Sequence, residues 1–229
     1  MNAPLESLSV NVAPRPYGGV SAAERQAQRR ERLIEAAYDV FGRDGHRNTT
    51  MRLICAQARL TERYFYEHFS NVDEVFLAVH KRLSAEVSAE IMTRVMAAGD
   101  DPVAQTRAGL TAFFEFIKAD PRRAQILLLD AVATGLTNPR NLNAKVSQYA
   151  EFLKSRFKKR YPNLNVPLDV ELVVGGFVGM IIHTASVWAE RQFDTPLEVL
   201  VDHNAYAWLG LHQWLTQHDK SPEAAAMAT

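Results

Sequence analysis

Between His46 and Leu83 the sequence reads HRNTTMRLICAQARLTERYFYEHFSNVDEVFLAVHKRL, and it carries three helix-start signals in close succession. Thr49 or Thr50 can N-cap a short helix, and Thr61 can cap a second. Asn71, with Glu74 three positions on, has the form of a capping box opening a third. In the first of these helices Leu53, Ile54 and Gln57–Ala58 take the inward positions. Two helices this short, divided by a tight turn and wedged between longer ones, fit a helix-turn-helix.

Within LTERYFYEHF, residues 60–69, spacing sorts the rings. Phe65 and Phe69 are four apart and share a face with Leu60, which is the face to bury. Thr61, Glu62, Arg63, Tyr64, Glu67 and His68 are then turned outward, with Tyr66 at the boundary. Hydroxyl, imidazole and guanidinium groups donate hydrogen bonds to phosphate oxygens and base edges, so that outer face suits a DNA groove.

From about Arg29 to Leu83, roughly a quarter of the chain, the sequence resembles the DNA-binding domain of tetracycline-repressor (TetR) family transcriptional regulators. The residues that carry the resemblance are FGRDGHRNTT, TTMRLICAQA, the aromatic YFYEHF and the acidic-capped NVDEVFLAV. The resemblance implies phosphate contacts from Thr50 and Arg52. It puts Arg63, Tyr64 and Glu67 at base edges, and Tyr66 and His68 on the backbone. Two positions depart from the family pattern. Arg59 stands where a turn glycine is common, so it must adopt an unusual backbone angle or the turn differs. Val72 stands where a lysine often contacts phosphate.

Outside this segment the periodicity stays helical, so the expected fold is all-α. Residues 1–22, with three prolines and a Gly-Gly pair, read as a flexible leader. A helix over Ala23–Phe41 packs Leu33, Ala37 and Val40–Phe41 on one face and carries Arg25, Arg29, Arg30 and Arg32, with Gly42 and Gly45 ending it. An N-terminal domain over 23–83, with its helix-turn-helix at about 49–69, is followed by a larger helical domain over 84–218 and a short tail, 219–229. In the larger domain one helix opens after Asp101-Pro102 and closes before Asp120-Pro121, and the next runs from Arg122 to about Thr134. Leu142, Val146, Tyr149, Leu153 and Phe157 mark another, which ends in the basic KSRFKKRYPN.

Leu197, Val201, Asn204, Trp208, Leu211 and Leu215 recur at steps of four and three, a seam for a neighbouring helix. The preceding helix puts Gly176, Gly179, His183 and Ser186 on one face and Val173, Phe177, Met180 and Trp188 on the other. Apolar on both sides, it needs two neighbours. The resemblance implies that the last two long helices pair into a four-helix bundle in a homodimer, whose two heads read a near-palindromic operator. Gly176, Gly179, Val201, Asn204, Trp208, Leu211 and Leu215 are the expected dimer interface.

The resemblance also implies a small-molecule pocket in the second domain. Phe113, Phe114, Phe116, Leu128, Phe177 and Trp188 are candidates to line it, against plain core packing for each. Arg107, Asp130, His183 and Asn204 interrupt apolar faces and are candidate polar handles, with a satisfied core histidine favoured for His183. A mainly apolar effector is implied. The expected function is a ligand-responsive regulator, a repressor by preference. The alternative is a helical ligand-binding or scaffolding protein that has lost DNA recognition, which Arg59 and Val72 favour.

Other classes find little support. The chain has 26 basic and 26 acidic residues, so no overall charge draws it to nucleic acid, although a local patch remains open. A single cysteine, Cys55, excludes an internal disulfide and a cysteine-cluster metal site. No phosphate loop, nucleophile elbow or paired-histidine motif occurs, and His203 and His212 are nine apart, too far to share a metal on one helix face. Neither enzyme activity nor a cofactor is expected. The apolar runs, Leu172–Ile182 among them, are short or broken by Gly, so no membrane span and a cytoplasmic location are expected.

Overall fold

The computed structural model describes residues 21–131, 134, 159, 161–162 and 168–219. The expected helix around Leu142–Phe157 lies outside them, as do residues 1–20 and 220–229. The described elements are helical: α1 (Ala22–Asp44), a 3-10 turn (His46–Asn48), α2 (Met51–Ala58), α3 (Glu62–Tyr66), α4 (Val72–Ala97), α5 (Pro102–Ala119), α6 (Pro121–Ala124) running on as a π-helical segment (Gln125–Asp130), α7 (Val170–Glu190) and α8 (Leu197–His218).

Caps set the boundaries of the head. Ser21 and Glu24 form a reciprocal capping box at the start of α1. Thr50, not Thr49, caps α2 by accepting the Leu53 N–H at 3.3 Å. The Thr49 hydroxyl instead donates to the Gly45 carbonyl at 2.7 Å. Asn71 accepts the Glu74 N–H at 2.9 Å to open α4. Thr61 occupies the cap position of α3 without a side-chain bond. Gly45 ends α1 with φ of 74°, where a Cβ would be strained.

Gly42 does not end the helix as its sequence position suggested; it lies inside α1. A Cβ there would sit 2.3 Å from the Arg122 Cβ, so glycine permits α1 and α6 to meet.

Leu33, Ala37, Phe41, Ile54, Phe65, Phe69, Phe76 and Val79 form the core of the head, and Ile126 from the π-helical segment completes it. A second core joins Leu110, Phe114 and Ile117 of α5 to Leu128, Ala185, Trp188, Leu200, Val201 and Ala205. The expected boundary at 83–84 falls inside α4, whose first half closes the head while Val95 packs against Gly109 of α5.

Polar groups bind the two halves together. Arg122 bonds both carboxylate oxygens of Asp120 and reaches Asp39 of α1 at 2.6 Å, while Tyr38 donates to Asp120 at 2.6 Å. The Arg122 hydrogen bonds hold the Asp120 carboxyl at about 2, below its usual range. Burial first, then the bond to Asp120, pushes the Tyr38 phenol up to about 12. Asp120 therefore adds stability above its ordinary pKa that is lost as pH falls toward 2, and Tyr38 adds stability that is lost as pH rises from 10 toward 12. Arg122 is nearly half exposed, so solvent screening reduces the Asp120 contribution to about 1–2 kcal/mol. Asp120→Asn should cost that much at neutral pH and flatten the fall in unfolding midpoint between pH 4 and 2. An acid limb as steep as wild type would reject the assignment.

Several expectations for the second domain are overturned. Val201, Asn204 and Leu215 are buried inside the subunit and cannot form a dimer surface. Val201, with Leu200 and Ala205, packs in one core with Leu110, Phe114 and Ile117 of α5, because a four-and-three spacing fits any helical neighbour. Trp208 and Leu211 are half-buried, with Trp208 stacked on Phe177 at 4.2 Å. Of the expected interface only Gly176 and Gly179 are openly exposed.

His183 is exposed rather than a core histidine. Arg107 lies outside and pairs with Asp202 of α8, not with a pocket. Phe114 and Trp188 are buried and meet edge to face at 5.8 Å, and the Trp188 indole donates to the Thr195 carbonyl at 2.9 Å. Phe113 packs beside them, half-buried. Asp130 is buried but bonds into the head, as described below. The stretch Leu172–Glu190 is also longer than its glycines suggested: by length and composition it could cross a bilayer.

Candidate nucleic-acid interface

Helix α3 has five residues, too few to hold itself in water. Phe65 (fully buried) and Phe69 tie it to the head core, their rings 5.9 Å apart. Anchored there, α3 leaves Arg63 and Glu62 exposed and Tyr66 61% exposed, the most open ring of the segment rather than a boundary one. Thr61, Thr50 and Arg52 are exposed as well, so α2 and α3 carry one continuous polar surface.

Tyr64 and His68, expected outward, are half-buried. The cause is α1: the Arg29 guanidinium lies over the Tyr64 ring at 4.7 Å and pairs with Glu67 at 3.7 Å. Glu67 also meets Arg63 one turn back, at 3.4 Å. Arg52 pairs with Glu62 at 3.2 Å across the two short helices. These exposed pairs are weak and can be exchanged for phosphate. Burial, the largest cause, pushes the His68 imidazole below its ordinary pKa, with Arg29 and Arg30 acting the same way against Glu67. At neutral pH it is therefore an uncharged ring. Among the described residues, Arg29 Nε and His68 Nε2 are buried here without a hydrogen-bond partner.

The turn residue Arg59 adopts φ 52° and ψ 45°, the left-handed conformation that a glycine would take. Its departure from the family pattern changes the residue and not the turn, at a backbone cost of about 1–2 kcal/mol. Arg32 steadies the same turn by donating to the Ala58 carbonyl at 2.6 Å. Val72 is partly buried against the head core, so it packs where a lysine would reach out. Leu53 is 41% exposed and Gln57 is exposed, bonded to Asp39 at 3.0 Å, whereas both were expected inside. In this eight-residue helix the core is closed by buried Ile54, Cys55 and Ala58, with Met51 partly buried beside them.

Sequence reasoning missed Arg29 as part of this surface, although it noted the arginines of α1. A cleft of about 250 Å³ also opens at the junction of head and body, between Ile34, Tyr38, Val79, Arg82, Leu83 and Arg122. It lies away from the aromatic residues expected to line a pocket.

An all-α protein whose head presents an anchored helix-turn-helix is of the DNA-binding class. Residues 33–79 match the family model described as bacterial regulatory proteins, tetR family. Residues 33–79 therefore carry a DNA-binding domain of the TetR family of transcriptional regulators. The chain is 30% identical over 115 residues to the HTH-type transcriptional activator FasR of Mycolicibacterium smegmatis, a match covering 49% of this chain and 52% of FasR. The chain thus aligns with about half the length of that relative. Its fold is similar to the fatty acid degradation regulator FadR of Bacillus halodurans, with TM-score 0.64, 18% identity and coverage of 78% of this chain and 93% of that one. It is also similar to FadR of Bacillus subtilis in complex with stearoyl-CoA, with TM-score 0.61, 17% identity and coverage of 77% and 95%.

Proposed function

We propose that the chain is a homodimeric, effector-responsive regulator that binds a near-palindromic operator through α2 and α3. The observation that carries this reading is the division of α3: Phe65 and Phe69 sink into the head while Arg63 and Tyr66 stand in solvent. Arg63, Tyr64 and Glu67 would meet base edges, and Thr50, Arg52, Thr61, Tyr66 and His68 the backbone.

Dimerisation would use the open faces of α7 and α8. Leu172 (75% exposed), Gly176, Gly179 and His183 lie along one, and Tyr206, Gly210 and Trp214 along the other. The glycines let a partner helix approach closely. A second subunit accounts for the apolar length of α7, of which little is buried within one subunit, without invoking a membrane.

The effector we propose is a long acyl chain with a polar head, in keeping with the stearoyl-CoA held by the similar B. subtilis protein. Partly buried Phe113, Phe116, Leu127, Ile181 and Ile182 supply apolar surface around the second core. Release of DNA then requires tighter effector binding to the DNA-incompetent state. Repression is the direct result of a dimer occupying a promoter. The M. smegmatis relative is named an activator, and a reporter fused to the upstream DNA separates the two by sign.

Fluorescence anisotropy with DNA flanking the chain's own gene tests the interface. Affinity should fall steeply with salt. Arg63→Ala should lose about 1–3 kcal/mol and relax preference at one base pair if it reads a guanine. Unchanged affinity and base preference in Arg63→Ala would remove the assigned face.

A further inference from the structure

We propose that Asp130 is a positioning residue for DNA recognition: a carboxylate of the second domain that fixes the turn leading into the helix-turn-helix. This rests on α2 and α3 being the DNA-binding surface, as proposed above.

Asp130 ends the π-helical segment Gln125–Asp130 and is only 7% exposed. One carboxylate oxygen accepts the backbone N–H of His46 at 2.9 Å, and the other accepts the Gln125 amide at 3.0 Å. His46 opens the 3-10 turn, and the first N–H groups of a helical turn have no partner inside it. No side chain of the head caps that turn. The cap comes from 84 residues away, in the other domain. A carboxylate bonded to a backbone N–H is among the stronger hydrogen bonds a protein makes.

What Asp130 holds is continuous with the recognition elements. The His46 ring packs on Phe76 at 4.7 Å and its Nε2 meets Asp73, at the start of α4, at 2.8 Å. Thr49 folds back to the His46 and Gly45 carbonyls, and the next residue, Thr50, caps α2. The path from Asp130 to the first residue of the DNA surface is therefore four residues of fixed turn. Ile126, from the same π-helical segment, is buried in the core that anchors Phe65.

The winding of the segment decides whether Asp130 reaches this place. A π-helical turn accommodates an extra residue relative to an α-helix, and such turns concentrate at functional sites. Rewinding 125–130 as α-helix would shift the register by one residue and swing Asp130 through about 100°. The His46 N–H would then lose its acceptor. The segment lies between the second core, through Leu128, and the head core, through Ile126, so a change in the second domain acts on both.

The test uses the full chain with Asp130→Ala and Asp130→Asn, the latter keeping an acceptor oxygen in the same shape. Hydrogen exchange of the 46–50 segment reads the turn directly. Anisotropy with the upstream fragment and with a scrambled duplex of equal length reads recognition. Asp130→Ala should lower protection of 46–50 at least tenfold and cut the ratio of specific to scrambled affinity at least tenfold. The fall should come with little change in affinity for the scrambled duplex, and Asp130→Asn should restore most of both. Unchanged protection, or specific and scrambled affinities falling together, overturns the proposal. An affinity ratio indifferent to Arg63→Ala would instead overturn the assigned DNA face, while the exchange measurement still decides whether Asp130 holds the turn.

Discussion

Phe65→Ala is expected to abolish operator binding and to destabilise the head by roughly 3–5 kcal/mol, while the second domain stays folded. Helix α3 is five residues long, has no side-chain cap and holds its place through Phe65 and Phe69. Phe65 is fully buried, edge-on to Tyr66 at 5.8 Å, so truncation opens a cavity beneath the exposed ring. The three tryptophans, at 188, 208 and 214, all lie in the second domain. Their fluorescence therefore follows that domain, and circular dichroism follows the whole helical content. In the variant the dichroism transition should begin at lower denaturant than the fluorescence transition, with specific DNA affinity lost. Coincident transitions at the wild-type midpoint, with DNA binding intact, would mean that α3 is held by something other than its phenylalanines.

The head was legible because its signals are local. Thr50, Asn71 and Glu74 mark helix starts within a turn of themselves, and Phe65 and Phe69 mark a buried stripe by a four-residue step. Arg59 shows the limit of residue identity as a guide: the left-handed turn persists with a side chain that tolerates it at a cost. What stayed hidden in the head depends on distant partners. Tyr64 is half-buried because Arg29 of α1 lies over its ring, and nothing within LTERYFYEHF encodes that.

In the second domain the sequence signals were real and their partners ambiguous. Val201, Asn204 and Leu215 are buried, Val201 in the core shared with α5, but spacing is blind to whether a seam's neighbour is a helix of the same subunit or a second subunit. Asp130 interrupts an apolar run, which correctly marks a polar task. The run does not show that the task is to hold His46, 84 residues away. Arg107 looked like an intruder on an apolar face until Asp202, on another helix, supplied its partner.

Gly42→Ala offers the sharpest contrast between local and tertiary reasoning, because the two predict opposite signs. A helix-interior glycine costs up to about 1 kcal/mol relative to alanine, so propensity alone makes the substitution stabilising. The new Cβ, however, would lie 2.3 Å from the Arg122 Cβ and 2.5 Å from its Cγ, atoms too close to the backbone to swing away. Helix α6 would have to move off α1, straining the Arg122–Asp39 pair and the Tyr38–Asp120 hydrogen bond. Overpacking of this kind costs about 1–3 kcal/mol, before the weakened polar contacts are added. A double-mutant cycle isolates the clash. Arg122→Ala retains its own Cβ and should leave most of the Gly42→Ala cost in place. Arg122→Gly removes the nearest obstructing atom and should recover it, relative to the single Arg122→Gly variant. A higher unfolding midpoint for Gly42→Ala alone, or equal rescue by both Arg122 variants, would show that α1 and α6 do not meet backbone to backbone at this point.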